Sequence, residues 1–583
     1  MEQNQFKRKT AFWNSIIILL SAIGLIACII VLFPQTRHKI LDIASQILNK
    51  ESSTYQAWID TLLSYAMGGI CFILFFDYCT LTKSGKALVN NIKQEIKDCL
   101  SGIEFKLFTK PVLLMFGVYL LGILTIIRSN VLYMDDIGRA TGGWRAWITW
   151  SRYIPDFLSI FIHGDANLTE ISPLPQLLAI LILSLSSVLL VYVLFKKITV
   201  IPLLASIPLG LSPYFLECLS YKFDAPYMAI SIIACIIPFL FVEYKRAFIF
   251  TSIVSLLIMC MNYQAASGIY IMIAVILCFQ DWNSKKKPIR EILVFLGISF
   301  FAFCLSMIMY KLFFVRSYTV DTSTTAMFSL SKLIPGVLSN IKNYILLINS
   351  DFGLIWKIII VIIFIFFIIK SIYKSSHRKL ISFIVSSLVL FITLIASYGA
   401  YYLLESPQFF PRGLYGFGVF LAIICVFISD YKKSSIVASL ALCWCFLVFA
   451  FSYGNALADQ DRYANFRLEL LLHDLSILYP ERNIEDMSFQ MKNSIGYTPV
   501  VKNIAKHNPI IKRLVTLRVE EDDLYSHGYF LGYFNWGMLD SSRDFSYGKN
   551  YVDYNKCDLP VVLDSYYHTI KSDGDRVLII LKN

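Results

Sequence analysis

The residues best suited to chemistry open a loop directly after an apolar run. The segment reads Arg128-Ser129-Asn130-Val131-Leu132-Tyr133-Met134-Asp135-Asp136-Ile137-Gly138-Arg139. Two adjacent carboxylates within a turn or two of a bilayer surface meet opposing influences. Desolvation raises their pKa, while a nearby arginine lowers it. That combination tunes a carboxylate toward general-base work, which contributes about 10²–10⁴-fold in rate. The competing role is local: Asp135 or Asp136 as the N-cap of a short helix continuing from Ile137 toward Trp150. Spacing alone does not choose between them.

Further candidates lie in four more segments. The same loop carries Trp144, Trp147, Trp150 and Tyr153, residue types that anchor a membrane edge or stack on sugar rings. Glu217, Lys222 and Asp224 lie between two apolar runs, where ionisable groups are costly and usually paired. A Lys222–Asp224 surface pair competes there with a lysine aimed at a lipid phosphate. Asn262-Tyr263-Gln264 divides two adjoining runs, either as a polar turn or as part of a site. Arg412 follows Glu405–Pro411, placed to snorkel or to clamp a phosphate.

The elements that must position these residues are membrane spans. Hydrophobic residues make up 57% of the chain and charged residues 16%, too few polar groups to cover a soluble protein of 583 residues. The net charge of +12 does not indicate nucleic acid, because the Lys and Arg cluster between apolar runs. Runs long enough to cross about 30 Å of hydrocarbon fall near 12–33, 59–79, 111–128, 176–195, 198–212, 226–242, 247–262, 264–280, 291–314, 354–373, 380–402, 412–429 and 434–452. That makes about thirteen, the fifth short and broken or re-entrant at Pro202 and Pro208. The run at 12–33 is followed by no small-residue cleavage site, so a first span is expected there rather than a cleaved leader.

Basic residues concentrate at alternate ends of these runs, from Lys7-Arg8-Lys9 through Lys196-Lys197 and Lys285–Lys287 to Lys432-Lys433. The N-terminus is therefore expected in the cytoplasm and the C-terminus outside. Loops 129–175 and 315–353 and the tail 453–583 then face outward. The transmembrane domain covers 1–452. The tail is expected to be a small periplasmic α/β domain, helical over 455–478 and ending in a buried strand over 576–581. None of the 13 cysteines forms a CxxC pair, which points to apolar packing rather than zinc or disulfides.

Six segments recur in a fixed order: Asn130–Arg139, Ile171–Gln176, Ser212–Tyr227 (SPYFLECLSYKFDAPY), Asn262–Ala265, Pro411–Gly418 and Tyr453–Gln460 (YGNALADQ). Together they resemble the bacterial O-antigen glucosyltransferases of the serotype-converting Gtr type, from the third span to the start of the tail. The resemblance implies an all-α polytopic, GT-C-like membrane glycosyltransferase of the bacterial inner membrane. Its donor would be undecaprenyl-phosphate glucose and its acceptor the O-antigen of lipopolysaccharide. A small flippase and a donor-synthesising glycosyltransferase would be its companions. An acidic residue in the first outer loop, typical of GT-C enzymes, maps onto Asp135 and Asp136 without deciding which is the base. On this view Arg412, Lys222, Arg139 and Arg152 face the donor phosphate. Tyr133, Trp144, Glu217, Tyr221, Asp224, Tyr263 and Gln264 line the substrate. No cofactor is required, although a carboxylate pair facing a phosphate is also suited to Mg²⁺ or Mn²⁺. A lipid-linked sugar flippase would instead carry charges near the bilayer midplane. An O-antigen polymerase would share the outward site but bind two polymer chains.

Overall fold

The computed structural model describes residues 74, 77–315, 326–329, 331–480, 488–517 and 556–583. The expected span near 12–33, nearly all of that near 59–79, and the Lys7-Arg8-Lys9 cluster lie outside the described residues.

Composition sets the element type almost throughout, because a chain in hydrocarbon must satisfy its backbone groups within each segment. The described chain is mostly helical. It opens with an amphipathic helix α1 (Lys83–Ser101), capped by the Thr82 side chain. Helix α2 (Lys106–Ser129) is 24 residues long, about 36 Å, and leads into the Asp135 loop. That loop holds α3 (Asp136–Gly142) and α4 (Tyr153–His163). Helix α5 (Leu174–Phe195) carries Pro175 in its first turn, where a missing N–H costs nothing.

The expected break in the fifth run is present. Helices α6 (Val200–Ala205) and α7 (Pro208–Leu211) meet α8 (Pro213–Ser220) at 61°. The bend falls at Ser212, whose ψ of 145° is the extended geometry a following proline favours. Then follow α9 (Ala225–Ile236), α10 (Lys245–Asn262), α11 (Ser267–Asn283) and α12 (Ile289–Phe313). Helix α13 (Leu333–Asp351) occupies the outer segment expected at 315–353. The bundle continues with α14 (Leu354–Tyr373), α15 (Lys379–Ala396), α16 (Gly416–Ile428) and α17 (Lys433–Leu478). Among the described residues eight helices are long and apolar enough to cross a membrane, or up to nine with the bent pair. Helices α9 and α16 are shorter apolar elements. The count of thirteen is therefore not reached among the described residues.

Helix α17 is 46 residues long, about 69 Å, roughly twice the thickness of the hydrocarbon. It runs unbroken through position 452 and includes the helix expected over 455–478. Its first half buries Leu442, Phe446, Phe449 and Tyr453 in the bundle core. Its second half buries Ala464, Leu468, Leu471 and Leu475 in a separate core shared with a small sheet. The sheet contains β1 (Ser488–Lys492), β2 (Val561–Asp564), β3 (His568–Ser572) and β4 (Arg576–Leu581), ordered β1-β4-β3-β2. β1 pairs parallel to β4, and the other neighbours are antiparallel. Helices α18 (Pro499–Ala505) and α19 (Ile511–Leu514) follow β1 and pack on the bundle instead. The apolar run at the chain end is thus the central strand its composition suggests.

Helices α2 and α17 approach closely because of Gly454. A Cβ there would stand 2.5 Å from the Thr125 carbonyl carbon and 2.6 Å from Ile126 N. A Cβ on Gly117, by contrast, would meet nothing within 4 Å. Gly454→Val is expected to lower the melting temperature of the detergent-solubilised protein sharply, because backbone cannot yield as a side chain does. Gly117→Val, as the matched control, should leave it nearly unchanged.

Candidate active site

The site begins where α2 ends. Asn130 caps that helix in the left-handed conformation (φ 53°), and Met134 takes a second positive φ of 49°. These two turns fold Val131–Asp136 back over the end of the bundle. Asp135 stands at the N-cap position of α3, but its side chain makes no capping bond. Asp136, the first residue of that helix, does not cap it either. Its Oδ2 accepts the Tyr133 N–H at 3.2 Å and the Lys222 N–H at 2.8 Å. The capping alternative raised by the sequence is therefore not what the carboxylates do.

The two aspartates differ in access. Asp136 is fully buried, and its Oδ1 has no hydrogen-bond partner. Burial pushes its pKa up to about 8, with Asp224 adding to the rise and the Lys222 and Tyr133 N–H groups and Arg139 opposing it. At neutral pH it is largely protonated. Asp135 is half-buried, and among the described residues its carboxylate accepts no hydrogen bond. Burial raises its pKa as well, against Arg139, Arg412 and Arg152, all within electrostatic reach.

The cations divide in the same way. Lys222 is buried, its Nζ 2.7 Å from both Glu170 Oε2 and Asn130 Oδ1. The surface pair Lys222–Asp224 does not form. Asp224 instead takes Arg139 at 2.8 Å and the Trp147 indole N–H. Arg139 is sandwiched, its guanidinium carbon 4.2 Å from the Trp147 ring centroid and 5.7 Å from that of Trp144. Glu217 takes Arg412 Nη1 at 3.0 Å and also the Arg412 backbone N–H. Arg412 keeps one side over Tyr221 and Phe410, with centroids at 5.4 and 4.8 Å.

Arg152 differs from these. It lies over Tyr263 at 4.5 Å, its Nε is buried without a hydrogen-bond partner, and no carboxylate within ion-pair distance neutralises it among the described residues. Tyr401 is within electrostatic reach of both Arg152 and Arg412. Tyr133 and Tyr221 meet edge to face at 4.9 Å. The Tyr133 hydroxyl donates to the Leu514 carbonyl at 2.8 Å and approaches Glu217 Oε1 at 3.4 Å. Gln264 donates to the Tyr310 hydroxyl at 2.6 Å, which donates in turn to the Ser151 carbonyl at 3.2 Å.

Asp135, Arg152, Arg412, Tyr221, Tyr263 and Tyr401 thus form one cluster, linked by electrostatic reach. Around it Asp136, Arg139, Lys222, Asp224 and Glu217 are committed to holding the wall. Trp144 contributes to that wall through Arg139. Sequence reasoning missed Glu170 and Tyr401, and it also missed Leu514, whose carbonyl lies 381 positions from Tyr133. Glu170 carried a weak signal, as a lone acid beside the prolines before α5. Among the described residues no three His, Cys, Asp or Glu side chains are grouped as metal ligands would be.

The family described as glucosyl transferase GtrII matches residues 124–428, just over half of the chain and the interval holding every candidate from Tyr133 to Arg412. An uncharacterised 55.3 kDa protein from the gtrB 5′ region of Salmonella phage P22 is 24% identical over 438 residues, covering 70% of this chain and 87% of the relative. No solved structure matches.

The Arg139–Asp224 pair supplies a stability test. Asp224→Ala leaves the Arg139 guanidinium buried without its carboxylate, a loss of about 3–5 kcal/mol. It should appear as a lower melting temperature of the purified protein. Adding Arg139→Met should recover part of that loss; a double variant less stable than Asp224→Ala would show that the charge pair is not what holds this wall.

Proposed function

The chain belongs to the GtrII glucosyl transferase family, and on that premise we propose that it moves glucose from undecaprenyl-phosphate glucose to the O-antigen of lipopolysaccharide, inverting the anomeric carbon. The arrangement is of the GT-C kind, with the reaction at the periplasmic face of the inner membrane. The Lys-rich ends of the spans support that orientation, since they favour the cytoplasm and leave the Asp135 end outside.

The observation that carries the reading is Asp135. It is the half-buried carboxylate of this cluster with no hydrogen-bond donor of its own among the described residues, and it stands within electrostatic reach of Arg152 and Arg412. Asp135 takes the proton of an acceptor hydroxyl. The hydroxyl oxygen then bonds to the anomeric carbon as the carbon–oxygen bond to the polyprenyl phosphate breaks. The electron pair leaves with the phosphate, whose growing charge Arg152 and Arg412 stabilise. Fixed guanidinium groups in a recess do this at little reorganisation cost. Tyr221, Tyr263 and Tyr401 offer ring faces and hydroxyls to the sugar. Asp136 acts through the backbone by fixing the turn that presents Asp135. Companion proteins that make and flip the donor fit this role.

The two aspartates should separate experimentally. Asp135→Asn is expected to cut transfer by about 10²–10⁴-fold, the range for a lost general base, with no change in insertion or melting temperature. Asp136→Asn keeps an oxygen to accept the Tyr133 and Lys222 N–H groups and stays neutral, so it should retain most activity. Initial rates with purified protein, polyprenyl-phosphate glucose and lipopolysaccharide distinguish them. Equal losses would sink the assignment.

The same assay tests pH and donor binding. Because the Asp135 pKa is raised, the rate should fall with acidification at a pH above the usual carboxylate range. Arg152→Ala should raise KM for the donor more than for the acceptor.

A further inference from the structure

Away from the Asp135 cluster, a groove of about 810 Å³ opens between the start of α14, the middle of α17 and the turn after α18. That volume lies in the range of about 300–1,000 Å³ typical of ligand sites. Its floor is apolar: Trp356 and Phe449 meet edge to face at 5.1 Å, with Trp444 and Val448 alongside. Leu354, Ile355, Trp444 and Val448 are exposed on helices that carry membrane spans, so their surroundings are acyl chains. Its rim is cationic. Lys357 lies in the first turn of α14, and Lys506 follows α18 with His507 beside it. Among the described residues neither lysine has a carboxylate within ion-pair distance.

A lysine in the first turn of an apolar span lies near headgroup depth, where an anionic partner favours it, and no carboxylate of the described chain supplies one. Phe352 lines the groove and stacks on Tyr214, which bonds to Asp351, and Arg513 is bonded to Asp351 and to the Phe409 carbonyl. None of Asp135, Arg152, Arg412, Tyr221, Tyr263 and Tyr401 lines the groove, so it is separate from that cluster.

We propose that this groove holds an anionic glycerophospholipid of the surrounding bilayer, its phosphate between Lys357 and Lys506 and one acyl chain along Trp444, Val448 and Phe449. Charge complementarity selects the headgroup, and the continuous apolar floor selects a lipid over a free phosphate ester. A bound lipid would join α14 to the turn after α18, bracing the segment that continues to Leu514. The proposal does not depend on the sugar transferred.

The test uses the full-length protein in detergent, titrated with phosphatidylglycerol or phosphatidylcholine, with bound lipid counted by native mass spectrometry. Phosphatidylglycerol should be retained about 30-fold more strongly, the ratio two lysine contacts to an anionic headgroup provide. The preference should vanish in Lys357→Gln/Lys506→Gln and survive in Lys357→Arg/Lys506→Arg. Equal retention of the two lipids, or undiminished preference in the glutamine variant, overturns the proposal. Displacement of the lipid by sn-glycerol 3-phosphate alone would overturn the choice of a lipid. Should the glutamine variant fail to fold, acetylation of the unmodified protein decides. Phosphatidylglycerol, and not phosphatidylcholine, should slow modification of Lys357 and Lys506 several-fold relative to exposed Lys502. Absence of that protection counts against the site.

Discussion

Two backbone hydrogen bonds to one buried carboxylate organise this site. Asp136 Oδ2 accepts the Tyr133 N–H and also the Lys222 N–H, the latter from 86 positions along the chain, and so ties the two segments together. Both amides belong to irregular segments, Tyr133 before α3 and Lys222 between α8 and α9, where no helix or strand satisfies them. A buried N–H without a partner costs about as much as a lost hydrogen bond, so each segment needs the carboxylate as much as the carboxylate needs them. Because burial keeps Asp136 largely neutral, the junction does not require a charge in the protein interior.

The charged residues around it follow a single rule of pairing. Glu170 neutralises Lys222, Asp224 neutralises Arg139, and Glu217 neutralises Arg412 on one side only. What remains without an ion-pair partner among the described residues is Asp135 and Arg152, with Arg412 also within electrostatic reach of Asp135. In a setting less polar than water such groups interact more strongly with whatever enters. A neutral hydroxyl would find a base there, and a phosphate ester would find guanidinium donors already in place. The pairing also gives different roles to four cations that look alike in sequence.

How much of this was legible beforehand depended on range. Apolar runs of spanning length and helical spacing along the tail are local signals, and the helices follow them. A break in the short fifth run was visible from Pro202 and Pro208, but the 61° bend falls later, at Ser212 before Pro213. The Asp135 loop stood out for the same local reason, two acids beside an arginine after a span. Partners were not legible. Lys222 and Asp224 are two residues apart, yet each pairs with a group far along the chain, since the turn between α8 and α9 points them in different directions. The difference between Asp135 and Asp136 was equally hidden. It rests on which carboxylate meets the Lys222 amide, a contact that only the folded bundle creates.

The tail is the least legible part and the most revealing about mechanism. Ile137, one residue past Asp136, is buried in the same core as Leu468, Leu471 and Leu475 of α17 and Ile579 of β4. On the other flank the Tyr133 hydroxyl bonds to the Leu514 carbonyl, and Arg513 is tied to Asp351. The short segment that presents Asp135 is therefore gripped at both ends by the C-terminal region, through side chains packed on one flank and a hydrogen bond on the other. A loop of this length at the end of a bundle would otherwise fray, because few of its own backbone groups pair locally. Helix α17 supplies the stiffness, as one unbroken rod that belongs to the bundle core below and to the tail core above. The tail thus contributes to the site as part of its frame.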